Sequence, residues 1–287
     1  MISKQYLDEL LKTVYHEDVG SGDHSSLSTI PIDATGKAKL LVKENGIIAG
    51  VELAKYICDY YKSEDNSLEI NIFINDGEQV KIGDIVFIIS GLQLDILKVE
   101  RTILNFMQRM SGIATETRKY VNALQGYKTK ILDTRKTTPG LRLIEKEAVK
   151  IGGGCNHRIG LYDMIMLKDN HIDYSGGIEN AIINANKYLK DNSLNLQIEV
   201  ETRNILEVER VLKIGKVNRI MLDNFSIEET KKAIDLIAGR YETESSGGIT
   251  LANIKDYAKC GVDFISVGAL THHVSSLDLS LKAIKNE

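Results

Sequence analysis

Beyond about residue 107 the chain keeps a regular beat of short apolar runs set apart by amphipathic stretches. The runs cover residues 130–132, 164–167, 196–200, 219–222, 241–244 and 264–267. Between most of them, residues 178–189, 204–212, 227–237 and 252–260 carry apolar side chains at three- and four-residue spacing. Short strands alternating with helices predict βα units and a parallel sheet, either open or closed into a barrel. The first hundred residues are less regular. Tyr6, Leu7, Leu10, Leu11 and Val14 mark an opening amphipathic helix, and residues 16–26 read as a loop dense in turn formers. Strands are expected over 36–43, 46–49, 68–74 and 84–90, with helices over 51–61 and 94–110. That mixture predicts a small α+β domain ahead of the repeating part.

In the repeating part, chemically distinctive residues sit at the C-terminal end of each strand. One position per unit gives Arg135, Lys168, Glu201, Asp223, Ser246 and Gly268, at intervals of 33, 33, 22, 23 and 22 residues. Polar groups gathered at the C-terminal ends of successive parallel strands are how β/α barrels build active sites.

Composition narrows the class. The chain has 287 residues, so it is long enough for two modest domains or one barrel with an appendage. Thirty-six Lys and Arg against forty Asp and Glu give a net charge of −4, which excludes a broad basic surface for nucleic acid. Cys58, Cys155 and Cys260 are odd in number and widely spaced, so neither a disulfide framework nor a structural zinc site is expected. No apolar run reaches the length of a signal peptide core or a membrane span, and a reducing, cytoplasmic setting is expected.

Three groups of residues suggest a reaction. Arg135, Lys136, His157, Arg158 and Lys168 form a cationic set that needs anionic partners, as a substrate with several carboxylates or phosphates would supply. Arg142, Lys146 and Lys150 read as ordinary solvated helix charges. Glu199 and Glu201 are two apart in an extended run and so share a face, with Asp223 on the next strand. Such carboxylates suit Mg²⁺ or a developing positive charge on a sugar, while Glu199 fits a structural ion network equally well. The turns at Ser246-Gly247-Gly248 and Val267-Gly268-Ala269 can offer backbone N–H groups to a phosphate. The histidines show no defensible metal spacing, and no Ser-His-Asp or Cys-His arrangement is evident. Phosphoribosyl transfer fits this combination well.

The motifs resemble those of the quinolinate phosphoribosyltransferase family over nearly the whole length. They include Glu17-Asp18-Val19-Gly20-Ser21-Gly22-Asp23 and Glu100-Arg101-Thr102-Ile103-Leu104-Asn105-Phe106. The most specific is Asp133-Thr134-Arg135-Lys136-Thr137-Thr138-Pro139-Gly140-Leu141-Arg142, followed by Gly152-Gly153-Gly154-Cys155-Asn156-His157-Arg158. Leu167-Lys168-Asp169-Asn170-His171, Glu199-Val200-Glu201, Leu222-Asp223-Asn224-Phe225 and Ser246-Gly247-Gly248-Ile249 complete the series.

The resemblance implies an α/β protein: an N-terminal α/β sandwich over residues 1–106 and an incomplete α/β barrel over 107–274, with a C-terminal helix at 275–287 packing back on the first domain. It implies transfer of ribose 5-phosphate from phosphoribosyl pyrophosphate to quinolinate with loss of CO₂, giving nicotinate mononucleotide and pyrophosphate for NAD biosynthesis. By position, Arg135, His157, Arg158 and Lys168 would hold the quinolinate carboxylates, with Thr134 beside them and Lys136 near both substrates. Glu201 and Asp223 would serve the ribose and Mg²⁺, and Ser246, Gly247, Gly248, Val267, Gly268 and Ala269 the 5′-phosphate. Arg101 would reach a neighbouring subunit's site, which implies a homodimer or an assembly of dimers. Three rivals remain: a paralogous phosphoribosyltransferase with another acid substrate, a non-catalytic nucleotide-binding barrel, and an aldolase-type barrel with Lys168 as a Schiff-base lysine.

Overall fold

The computed structural model describes residues 2–61 and 68–284. In chain order the first elements are α1 (Lys4–Asp18), α2 (His24–Thr29), β1 (Thr35–Val42), β2 (Gly46–Ile47), α3 (Val51–Tyr61), β3 (Glu69–Ile72), β4 (Gln79–Val80), β5 (Ile85–Leu92) and α4 (Gln93–Ala123). Then come β6 (Lys130–Leu132), α5 (Arg142–Ile151), β7 (Ile165–Leu167), α6 (Asp169–Tyr174), α7 (Ile178–Asp191), β8 (Ile198–Thr202), α8 (Ile205–Ile214), β9 (Arg219–Asp223), α9 (Ile227–Ile237), β10 (Glu242–Ser246), α10 (Ile254–Lys259), β11 (Phe264–Ser266), α11 (Ala269–His272) and β12 (Leu279–Ile284). They form two compact units. One takes residues up to 118, together with 138–153 and those from 273 on, and the other takes 119–137 and 154–272. Residues 107–118, which continue the 94–110 helix within α4, and residues 138–153 thus group with the first unit.

The first unit is built on an antiparallel sheet in the order β12-β1-β5-β3. Its last strand corrects the expected C-terminal helix: residues 279–284 form β12, and residues 285–287 lie outside the described ones. The cause is legible in the side chains. Leu277, Leu279 and Leu281 are buried at a spacing of two, the period of a strand, and β12 pairs with β1 so that Leu281 faces Leu40 and Leu279 faces Val42. The loop expected over 16–26 is also shorter. α1 runs to Asp18, and Asp23 caps α2 by accepting the Ser26 N–H at 3.1 Å. Lys146 is a further correction, being only 1% exposed on α5, whereas Lys150 is exposed beside Glu147 as expected. On the same helix, fully buried Glu145 receives Arg109 Nη2 at 2.7 Å and the Thr138 N–H at 3.1 Å, which ties down the start of the 138–142 turn.

In the second unit, six parallel strands follow the order β6-β11-β10-β9-β8-β7. β6 and β7 are the two edges, so the barrel is incomplete. Cys155 lies along β6, giving its N–H to Ile131 O at 2.8 Å and accepting the Asp133 N–H at 3.1 Å. Alternation then divides the side chains. Ile198, Val200, Ile220 and Leu222 join α7, α8 and α9 in one apolar layer. Their strand neighbours Glu199, Glu201, Arg219, Met221 and Asp223 take the opposite face. Burying a charged face is possible only where the charges pair, and it leaves the strand ends free for chemistry. Helix α9 is fixed by a capping box in which Ser226 accepts the Glu229 N–H and Glu229 accepts the Ser226 N–H at 3.0 Å. Among the described residues no helix is long and apolar enough to cross a membrane.

Candidate active site

The C-terminal ends of the six strands surround a cavity of about 680 Å³, a size suited to small-molecule ligands. Thr134, Arg135 and Lys136 enter after β6, His157 and Arg158 from the segment beside it, and Lys168 after β7. Glu201 comes from β8 and Asp223 from the end of β9. Ser246, Gly247 and Gly248 close β10, while Val267, Gly268 and Ala269 come directly after β11. These fourteen sequence-predicted residues meet in one cavity. Arg101 does not line it and is exposed on α4.

The electrostatics of the cavity are split by sign. Burial and the nearby Arg135 pull the Arg158 guanidinium below its ordinary value. On the other wall, burial and then the Glu201 carboxylate push Asp223 up, against the lowering effects of Asn224, Lys168 and Lys136. Like charges crowded on each wall are a signature of a site that receives oppositely charged ligand groups. Lys168 Nζ, at 2.7 Å from Glu201 Oε2, bridges the two walls.

The two turns on the third side are shaped for close approach. Gly247 has φ +90° and Gly248 +60°, left-handed conformations that disfavour any side chain. A Cβ on Gly247 would collide with Asn224 Oδ1. On Gly268 it would meet His272 Nε2 at 2.8 Å and Lys136 Cδ at 3.2 Å. Turns stripped of Cβ atoms let backbone N–H groups reach an anion.

Several contributors were not singled out from the sequence. Asp133 is fully buried and accepts the His157 N–H at 2.8 Å and Asn156 Nδ2 at 2.6 Å, so it fixes the strand-side segment that presents His157 and Arg158. Asn224, at φ +57°, donates Nδ2 to Asp223 Oδ2 at 2.7 Å and its N–H to Ser246 O at 2.8 Å. His272, Met166, Met221 and Ser266 also line the cavity. Glu244 on β10 is buried at its floor; counting back two residues from Ser246 along the strand would have found it, by the alternation that pairs Glu199 with Glu201. Glu199 itself is fully buried and does not line the cavity. It lies 2.9 Å from His157 Nε2, which makes it part of an ion network.

Comparison with known proteins agrees with this geometry. The family model described as "Quinolinate phosphoribosyl transferase, C-terminal domain" matches residues 113–282, and its N-terminal counterpart matches 23–111. A quinolinate phosphoribosyltransferase [decarboxylating] of Nicotiana tabacum is 45% identical over 96% of this chain and 82% of its own length. A probable nicotinate-nucleotide pyrophosphorylase [carboxylating] of Synechocystis is 40% identical over 98% of this chain and 93% of its own. The crystal structure of NadC from Streptococcus pyogenes superposes with a TM-score of 0.93 at 39% identity, covering 100% of this chain and 99% of that one.

Proposed function

The chain belongs to the quinolinate phosphoribosyltransferase family, and we infer that its barrel cavity performs the decarboxylating phosphoribosyl transfer to quinolinate. Ribose 5-phosphate passes from phosphoribosyl pyrophosphate to the pyridine nitrogen, and the products are nicotinate mononucleotide, pyrophosphate and CO₂. The observation that carries this reading is the crowding of Arg135 against Arg158 in a cavity that Lys136 and Lys168 also line. Cations held together this way ask for a compact polyanion, and a pyridine with two adjacent carboxylates supplies one charge to each of two guanidinium forks. A monocarboxylate or neutral ring would leave part of the set unbalanced, which weighs against a paralogue with a simpler acid.

The opposite wall suits the sugar. As the pyrophosphate leaves, positive charge grows on the anomeric carbon, and the Glu201 and Asp223 carboxylates stand where they can stabilise it. The turns at 246–248 and 267–269 take the 5′-phosphate, so the ribose is suspended between its phosphate and the two acids. Ring alkylation then makes the pyridinium an electron sink. The bond to the carboxylate next to the nitrogen breaks, CO₂ leaves, the electron pair stays on that ring carbon as an ylide stabilised by the adjacent pyridinium nitrogen, and a proton then takes the carboxylate's place there. A purely binding barrel gains nothing from acids facing a polyphosphate, and a Schiff-base role for Lys168 is disfavoured because its Nζ is already held by Glu201 at 2.7 Å.

Glu201 and Asp223 have the donor chemistry for Mg²⁺: two hard carboxylate oxygens on adjacent strands, close enough that one raises the other's pKa. When bound, Mg²⁺ neutralises charge on the pyrophosphate leaving group. We further propose a homodimer, or an assembly of dimers, in which exposed Arg101 serves a neighbouring subunit's cavity. A reducing cytoplasmic setting fits the free thiols of Cys58, Cys155 and Cys260.

The direct test of the dicarboxylate reading is Arg135→Ala. Losing one partner of a buried charge pair costs ~2–5 kcal/mol, so KM for quinolinate should rise by about 30-fold or more. An unchanged KM would remove the assignment.

A further inference from the structure

Behind His157 lies a buried cluster, Glu199, Glu244 and Arg219, to which the phosphoribosyl transfer assigns no direct role. Glu199 on β8 and Glu244 on β10 are both fully buried, and Arg219 on β9, the strand between them, is only 8% exposed. His157 Nε2 stands 2.9 Å from Glu199 Oε2 and 3.3 Å from Glu244 Oε2. Arg219 Nη1 is 3.2 Å from that same Glu244 oxygen and 4.0 Å from the Glu199 one. It is held from below by Glu242 at 3.0 Å and by the Phe264 ring, whose centroid is 4.1 Å from its guanidinium carbon. On the other side of the imidazole, Nδ1 accepts the Arg158 backbone N–H at 2.6 Å.

Two carboxylates buried side by side are expensive, and an apolar pair would fill the same volume at lower cost. The His157, Glu199 and Glu244 donors converge as metal ligands do. Yet Arg219 already sits on the shared Glu244 oxygen, so the chain itself supplies the balancing charge. What the cluster does is specify a ring. Nδ1 is hydrogen-bonded and Nε2 lies at ion-pair distance from both acids, so the two ends lead to different places: one to the acid pair, the other to the backbone of a cation that lines the cavity.

We infer that Glu199 and Glu244 are positioning residues for the dicarboxylate-reading side of the cavity: they fix His157 through Nε2, and His157 fixes the Arg158 backbone through Nδ1. This rests on the reading of that side as the quinolinate site. The neighbouring groups agree with it. Asp133 accepts the His157 N–H, Arg158 Nη1 donates to Met164 O at 3.2 Å, and the Arg158 guanidinium feels Arg135 against Glu199 and Asp163. Ser266 supports Glu244. Because Nδ1 accepts the Arg158 N–H, the ring proton sits on Nε2, the nitrogen that faces the two carboxylates. With Nε2 protonated and Nδ1 accepting, a single tautomer is selected.

The test pairs Glu199→Gln and Glu244→Gln with steady-state kinetics and ¹⁵N-histidine spectra of the intact enzyme. The expected result is a rise in KM for quinolinate of about tenfold or more, with KM for phosphoribosyl pyrophosphate within about twofold, since the 5′-phosphate turns are untouched. The wild-type spectrum should show His157 protonated on Nε2, and both variants should show a mixture of tautomers. A joint rise in both KM values together with lower thermal stability means a merely structural role and overturns the inference. So does a wild-type spectrum with His157 protonated on Nδ1 alone, a reading that needs no variant to fold. If the wild-type enzyme fails to turn over quinolinate, the site reading falls; the tautomer shift in the variants would still stand or fall separately.

Discussion

Lys168 Nζ and Glu201 Oε2 lie 2.7 Å apart at the mouth of the barrel, joining the cationic wall to the acidic one. Lys168 is 45% exposed and Glu201 only 9%, so the acid is the fixed partner and the ammonium the one free to move toward an incoming phosphate or carboxylate. On the proposed function, substrate binding would exchange one ion partner of Lys168 for another. Glu201→Gln keeps the shape and removes the charge that would face the developing cation. The expected outcome is a loss of kcat of about 10²-fold or more with a smaller change in the quinolinate KM, read from initial rates.

Asp223 carries a pH prediction. Its carboxyl is raised in the folded state by burial and by Glu201, so the folded chain favours the protonated form. The stabilising effect of that proton is fully present below the ordinary carboxylate range and is lost as pH rises through the raised value. Once ionised, the group is therefore a cost to the fold. Activity should fall on the acid side at a pH above the ordinary Asp range. Asp223→Asn should abolish turnover without lowering the midpoint of thermal unfolding in the absence of ligands. A clearly lower midpoint would mean that Asp223 supports the fold instead.

Gly247 has no room for a side chain. At φ +90° a Cβ is strained by about 1–3 kcal/mol, and here it would also strike Asn224, the residue that holds the Asp223 carboxylate. Gly247→Ala should raise KM for phosphoribosyl pyrophosphate by roughly tenfold and leave quinolinate binding nearly intact. Calorimetry with each substrate separately distinguishes this from general unfolding.

Arg101 allows a test by mixing. If it serves a neighbour's cavity, neither Arg101→Ala nor Glu201→Gln alone is active, yet hybrids of the two contain one site with both residues present. Mixed and reannealed samples should recover up to about a quarter of wild-type activity, the share of intact sites in random dimers. No recovery, with hybrids verified by mass, would mean that Arg101 does not act in a neighbouring subunit's cavity.

Much of the second unit was legible because its strands obey a simple alternation. The spacing from Arg135 to Gly268 tracked the strand ends, and the cavity collects all six positions. The strand order was less accessible. β6 pairs with β11 rather than with β7, a consequence of where the sheet opens and not of any local pattern. Lys146 looked solvated because a charged residue signals exposure by type, while its burial depends on partners remote in sequence. Asp133 and Asn224 were passed over for a related reason: each acts on the backbone or side chain of a neighbour, and a residue that positions another leaves no charge pattern of its own. The β12 strand was readable from Leu277, Leu279 and Leu281, whose two-residue period excludes the helix expected there.

The most direct measurement of the central claim is product stoichiometry with purified protein, phosphoribosyl pyrophosphate and Mg²⁺, offering quinolinate and nicotinate in parallel and monitoring pyrophosphate and CO₂ together. Equal release of both from quinolinate and no turnover of nicotinate are expected. Pyrophosphate release without CO₂, or turnover of nicotinate at a comparable rate, would contradict the reading of Arg135, Arg158 and their neighbours as a dicarboxylate site.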